Sequence, residues 1–246
     1  MDTIDYIFIL IAYVVAAAIK GLTGIGFSTS CLPIMALRLD LTVAIPLVII
    51  PSIVSNIAIM AQTGGFCEAV KRFWPLYASS VPGLLIGLSI LVTINPDAAK
   101  LVLGFVLITY TIWALTSIPP MLPVKWEKNL KVVVGFLTGF INGLTGSQVL
   151  PVLPFLMSLN LKKNFFIQSI NISFTLSSLI LLFTMSQLDY LARDSFLIAI
   201  GGLIPLLLIV YICGRLRQRL PGELYRKLVL FFLLVMGFIL ALKSIF

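Results

Sequence analysis

Lys20-Gly21-Leu22-Thr23-Gly24-Ile25-Gly26 has a partner later in the chain, Asn142-Gly143-Leu144-Thr145-Gly146, in which the turn Gly-Leu-Thr-Gly recurs at an offset of 122 residues. The correspondence continues outward from the turn. Leu39-Asp40-Leu41 matches Leu159-Asn160-Leu161, Gln62 matches Gln187, and Pro96 matches Pro221, so the offset drifts only between 120 and 125. Residues 1–116 and 124–246 therefore read as two copies of one unit, joined by the Pro-rich linker 117–123.

The unit belongs in a bilayer. Of the 246 residues, 60% are hydrophobic and only 11% are charged, too apolar for a soluble globule of this length. Apolar blocks run over 42–61, 74–94, 98–116, 165–185, 193–213 and 224–245. Each is close to the 20 or so residues that a membrane-crossing helix needs. Met1-Asp2-Thr3-Ile4-Asp5 lacks the basic start of a signal peptide, which predicts that this segment is retained. Cys31, Cys67 and Cys213 have no metal-binding spacing and read as small apolar filler. The chain has no histidine, so zinc catalysis and histidine proton relays fall away as functions. No nucleophile constellation or interfacial carboxylate cluster suggests an enzyme, and no cofactor motif is present. A P-loop is missing too, which argues against direct ATP drive.

Each copy opens on two short apolar arms around the turn, 6–19 with 27–37 and 130–142 with 147–158. Arms of 11–14 residues reach about 16–21 Å, short of a hydrocarbon core of about 30 Å. They form either one broken crossing helix or a hairpin that dips in and returns. Lysine and arginine, enriched in cytoplasmic loops, discriminate between the two. If both pairs are re-entrant, one face gathers 12 cations: Lys71, Arg72, Lys125, Lys128, Lys131, Lys162, Lys163, Arg215, Arg217, Arg219, Arg226 and Lys227. The other face keeps 4, namely Arg38, Lys100, Arg193 and Lys243, with Lys20 left inside the membrane. If the pairs cross, the split is 9 against 7, which is no bias. The expected fold is an all-α polytopic membrane protein. It has two inverted repeats, each a re-entrant broken-helix hairpin plus three transmembrane helices, with both termini outside. The net charge of +8 then reflects topology and not nucleic-acid binding.

Inverted repeats with interrupted helices suit secondary transporters, which bind substrate where the breaks meet. A helix starting just after each turn would leave amide N–H groups and partial positive charge in the membrane interior, a setting for an anion. Thr23 and Thr145 are expected to cap those starts. Gly21, Gly24, Gly26, Gly143 and Gly146 are expected to let the backbone approach a ligand. Lys20 is the one charged residue placed deep in the membrane, with Asn142 as its counterpart and no carboxylate deep in any span to neutralise it. Ser28, Ser147 and Gln148, just past the turns, read as ligand donors or as structural groups. Asn56 and Asn171, one span further on, read as ligands or as locks between helices. Gly83, Gly87, Gly135 and Gly139 carry the four-residue spacing of close helix packing. Pro33 and Pro154 are expected to bend the second arms.

Lys20-Gly21-Leu22-Thr23-Gly24-Ile25-Gly26 with Pro33, and Gly139-Phe140-Ile141-Asn142-Gly143-Leu144-Thr145-Gly146 with Pro151 and Pro154, resemble the TauE/SafE family of sulfite exporters and sulfonate permeases. The resemblance covers essentially the whole chain, including the closing basic-then-apolar block Arg215 to Phe246. That family's second turn is usually followed by more glycine, where this chain has Ser147-Gln148. The resemblance implies transport of a sulfur oxyanion or organosulfonate across the cytoplasmic membrane of a prokaryote. Spacing alone supports a small anion. The expected partners are that anion and the lipid bilayer, with a homo-oligomer left open. The alternatives are an anion channel or carboxylate transporter on the same scaffold, or a non-catalytic membrane subunit.

Overall fold

The computed structural model describes residues 3–24, 26–116, 122–190, 193–216 and 222–245, so residues 117–121 of the expected linker lie outside the described residues. The apolar blocks become long helices: α3 (Leu41–Thr63), α4 (Phe66–Leu91), α5 (Pro96–Thr116), α8 (Lys163–Gln187) and α11 (Gly222–Ile245). The fifth block divides into α9 (Arg193–Gly201) and α10 (Leu203–Leu216). Around the two turns lie α1 (Thr3–Thr23) with α2 (Phe27–Ala36), and α6 (Val124–Thr145) with α7 (Val152–Ser158). Pro46 and Pro51 sit inside α3, and Pro75 and Pro82 inside α4, which neighbouring helices in lipid tolerate. Large side chains such as Phe183, Ile204, Ile212 and Phe231 remain more than half exposed. A surface so apolar is stable only against hydrocarbon. The protein is an all-α, multi-pass membrane protein.

The arms differ in length from the expectation. α1 has 21 residues and α6 has 22, about 31–33 Å each, instead of the shorter arms 6–19 and 130–142. The reason is local. Gly-Leu-Thr belongs to the incoming helix, and the backbone breaks only at the fourth residue, where Gly24 (φ 82°) and Gly146 (φ 71°) turn left-handed. Each first arm thus crosses most of the bundle before the chain turns back. The second arms are short, 10 residues in α2 and 7 in α7, with 147–151 outside any helix.

Both pairs nevertheless return to the end from which they started. Arg38 Nε, beyond α2, meets Asp5 Oδ1 near the start of α1 at 2.9 Å, and its guanidinium lies over the Phe8 ring. Leu122 N–H, ahead of α6, donates to Ser158 C=O at the end of α7 over 3.0 Å. The two hairpins open at opposite ends. From the Asp5 end α3 crosses to the far end, where Thr63 Oγ1 meets Gln168 Oε1 of α8. There Arg72 of α4 grips Glu127 of α6 with two bonds of 3.0 Å, and Lys131 joins Glu127 at 2.9 Å. At the Asp5 end Lys100 pairs with Asp40 at 2.7 Å and Lys243 Nζ donates to Leu37 C=O.

Two tight crossings hold the hairpins in place. Gly83 and Gly87 of α4 face Gly135, Gly139 and Gly143 of α6. A Cβ added at Gly139 would lie 2.8 Å from Ser80 C, and one at Gly143 would lie 2.7 Å from Leu88 N. On the other side α1 meets α10, where a Cβ at Gly21 would come within 2.7 Å of Val210 O and Cys213 Cβ. Glycine is required at these places by backbone-to-backbone contact.

The α9–α10 junction shows how local this requirement is. The helical ladder continues through it, with Gly202 N–H bonded to Ile198 O at 3.0 Å and Leu206 N–H to Gly202 O at 3.2 Å. A Cβ at Gly201 would meet nothing within 4 Å, whereas one at Gly202 would lie 2.5 Å from the Tyr13 ring. Gly201→Ala is expected to stabilise the purified protein by about 0.5–1 kcal/mol. Gly202→Ala is expected to lower its melting temperature. Differential scanning fluorimetry of the two variants in parallel checks both signs.

Candidate functional site

At the first turn Gly24 N–H closes α1 on Lys20 C=O at 2.7 Å. α2 then begins at Gly26, its N-cap residue, also left-handed at φ 87°. Its first internal bond is Ser30 N–H to Gly26 O at 3.1 Å, so the amides of Phe27, Ser28 and Thr29 lie at the open, electropositive end. The threonines do not cap the outgoing helices as expected. Thr23 Oγ1 donates to Ile19 O at 2.8 Å and Thr145 Oγ1 to Ile141 O at 2.7 Å, each one turn back in its own helix. A threonine inside a helix finds that carbonyl within reach before any other acceptor. Thr145 Oγ1 also accepts Ser147 N–H at 3.2 Å.

Lys20 is fully buried, at 0% exposure. Its ammonium donates to Asn56 Oδ1 of α3 and, at 2.8 Å, to Asn171 Oδ1 of α8. Asn171 Nδ2 in turn donates to Ile167 O at 2.8 Å and reaches Gly24 O at 3.4 Å. Asn56 lies seven residues before the end of α3 and Asn171 eight after the start of α8, which places Lys20 about 10–12 Å from the far end of the bundle. The two asparagines brace the lysine across both halves of the chain. They solvate the charge without neutralising it, because both are neutral amides.

The second turn is built differently. α7 starts only at Val152 and has about two turns of helix, so no helix start follows Gly146 directly as expected. Five residues of irregular chain lie there instead, among them Pro151, which has no N–H to offer a helical ladder. Asn142, at Lys20's place, is 0% exposed, and neither Nδ2 nor Oδ1 meets a hydrogen-bond partner among the described residues. Ser147 Oγ and Gln148 Oε1 are also buried and without a partner among the described residues. Gln148 Nε2 donates to Ser178 Oγ at 3.0 Å.

The two turns meet. Ser28 from the first, bonded to Ser52 at 2.9 Å, joins Gly146 and Gln148 from the second and Ser178 of α8 around a cavity of about 10 Å³. A second cavity, of about 500 Å³, lies on the other side of the α2 start. Thr23, Gly26, Thr29 and Ser30 line its inner wall, Val149, Leu153, Leu156, Phe166 and Leu233 its sides, and the exposed Asn160 and Lys163 its rim. No sequence pattern singles out Thr29, Ser30, Ser52 and Ser178. Serine and threonine are common in helices of both kinds, and only packing tells which line a cavity. Gly21 and Gly143 sit instead against α10 and α4.

The family model described as Sulfite exporter TauE/SafE matches residues 9–240, nearly the whole chain. No curated protein and no solved structure matches it.

Proposed function

The chain belongs to the TauE/SafE family of sulfite exporters, and on that footing we propose that it is a secondary transporter of a small sulfur-containing anion, sulfite or an organosulfonate, working by alternating access. The observation that carries this reading is Lys20, a fully buried ammonium held, among the described residues, by the neutral oxygens of Asn56 and Asn171. A charge in that setting costs a few kcal/mol or more, and an arriving anion offsets the cost. The electropositive start of α2, with Gly26, Thr29 and Ser30 on the wall of the larger cavity, supplies donors for its oxygens. Lys20 acts from behind that wall, next to the cavity-lining Ile19, and attracts the anion by its charge.

The end rich in exposed Lys71, Arg72, Lys125, Lys128, Lys162 and Lys163 faces the cytoplasm in this reading. The larger cavity opens there, which makes this an inward-facing state of a carrier in the inner membrane. Coupled opening and closing at the two ends distinguishes it from a channel: labelled substrate should exchange faster when unlabelled substrate is present across the membrane.

The first test is thermal stabilisation of the detergent-purified protein by sulfite, sulfate, thiosulfate, taurine, sulfoacetate, acetate and chloride, all at one fixed Na⁺ concentration. A ligand at about 100 times its Kd stabilises the native state by about 2.7 kcal/mol. A saturable rise with sulfite or a sulfonate, but not with chloride, is expected. Stabilisation by none of them, together with no flux of any in proteoliposomes, would sink the reading.

A further inference from the structure

We propose that α2 with the loop 37–40 is the outer gate of the carrier, shut in this structure, and that α7 with the loop 159–162 is its inner counterpart, standing open. The inference rests on the alternating-access reading and names the parts that move in it. The repeat equates the two loops, since Leu39-Asp40-Leu41 matches Leu159-Asn160-Leu161. Their surroundings differ. α2 leads from the larger cavity, which it lines with Thr29 and Ser30, to the Asp5 end of the bundle, and all ten of its residues are buried. α7 instead turns Leu153, Leu156 and Met157 to that cavity, and Asn160 stands exposed at its rim.

Three helices latch the first loop. Arg38 reaches Asp5 of α1 at 2.9 Å, Asp40 meets Lys100 of α5 at 2.7 Å, and Lys243 of α11 donates to Leu37 C=O. The same helices wall the larger cavity through Ile19, Tyr110 and Leu233, so the latch ties the gate to the elements that surround the proposed anion. Each of the two ion pairs is partly open to water, where such a pair contributes little. That weakness suits a latch that must break once in every transport cycle. At the inner loop the residue in Asp40's place is Asn160, a neutral amide that can form no ion pair. The two gates thus carry unequal latches, which biases the carrier toward the state open at the basic end.

The gate is tested with no substrate present, so its failure is separate from that of the anion reading. Ser30→Cys puts a thiol on the cavity wall of the full chain, in a background of Cys67→Ala and Cys213→Ala. A membrane-impermeant maleimide is added to right-side-out and to inverted membrane vesicles, and the same chain without Ser30→Cys corrects for Cys31. With the latch intact, labelling is expected from the cytoplasmic side and only slowly from outside. Arg38→Gln with Lys100→Gln removes both ion pairs and should raise outside labelling about 2- to 30-fold, with no rise from the cytoplasmic side. Asp40→Lys alone should raise outside labelling too, and adding Lys100→Asp, which restores the pair in reverse, should slow it again. Unchanged outside labelling in the Arg38→Gln, Lys100→Gln chain would overturn the proposal, as would an equal rise from both sides. Outside labelling of the latched chain as fast as cytoplasmic labelling would overturn it as well. Should the double variant fail to fold, Asp40→Asn, which gives the outer loop the residue of the inner one, is read in its place, and unchanged outside labelling there overturns the proposal.

Discussion

Substituting Lys20 by methionine is expected to abolish anion flux in proteoliposomes while the protein still folds. Methionine keeps most of the length of the side chain but brings neither charge nor hydrogen-bond donors. Two effects on stability oppose each other. Asn56 Oδ1 and Asn171 Oδ1 lose their donor, at about 1–3 kcal/mol for each buried group left unsatisfied. Removing a fully buried ammonium relieves a desolvation penalty of several kcal/mol. The melting temperature should therefore hold or rise. Function has no such compensation. Acting through the wall at about 6–10 Å and an effective dielectric of about 20, a unit charge attracts an anion by about 1.7–2.8 kcal/mol, so anion affinity should fall by about 20- to 100-fold. Lys20→Arg is not expected to rescue it, because the planar guanidinium is larger than the ammonium and the site between Asn56 and Asn171 is closed on all sides. Wild-type flux in Lys20→Met would show that the charge is structural only.

Substituting Gly139 by leucine is expected to prevent folding altogether. The α4–α6 crossing brings two backbones together over Gly83, Gly87, Gly135, Gly139 and Gly143. The atoms facing Gly139 are the carbonyl of Ser80 and the amide of Leu84, the latter 2.9 Å from an added Cβ. A flexible side chain could swing away, but a helical backbone cannot without moving the whole helix. Overpacking an ordinary core costs about 1–3 kcal/mol, and leucine here exceeds that because both walls are main chain. No monodisperse protein should be recovered by size-exclusion chromatography. Gly139→Ala, a gentler version, should fold with a clearly lower melting temperature. Wild-type melting of Gly139→Ala would mean that the helices are further apart than described.

Much of the hairpin plan was legible because charge and hydropathy are strong, local signals. The excess of lysine and arginine on one side anticipated that each broken pair returns to its own end, as the Asp5–Arg38 and Leu122–Ser158 contacts report. The lengths of the arms were not legible. Glycine reads as a break wherever it stands, yet within the two Gly-Leu-Thr-Gly quartets Gly21 and Gly143 are helical, whereas Gly24 and Gly146 adopt the left-handed turn. Sequence carries the permission for that conformation but not its use, since a helical glycine is also what a close crossing needs.

The candidate site divides along the same line. Lys20 could be identified from its place alone, because a lysine in an apolar run with no carboxylate near it is conspicuous at any depth. Asn56 and Asn171 could be identified as polar groups inside spans. That both turn their oxygens onto Lys20 required the fold, since the three stand on α1, α3 and α8, as many as 151 residues apart. The different endings of the two turns also required it. Identical Gly-Leu-Thr-Gly quartets lead into a helix after Gly26 and into five irregular residues after Gly146, where Gly146 itself is wedged against Leu32 and Ile45 of the other half and Pro151 has no N–H for a helical ladder. Local sequence thus determined where the chain enters the membrane, where it can break and which charge it carries inside. Which atoms gather at the breaks was decided by packing between the halves, because such contacts join residues that no local pattern relates.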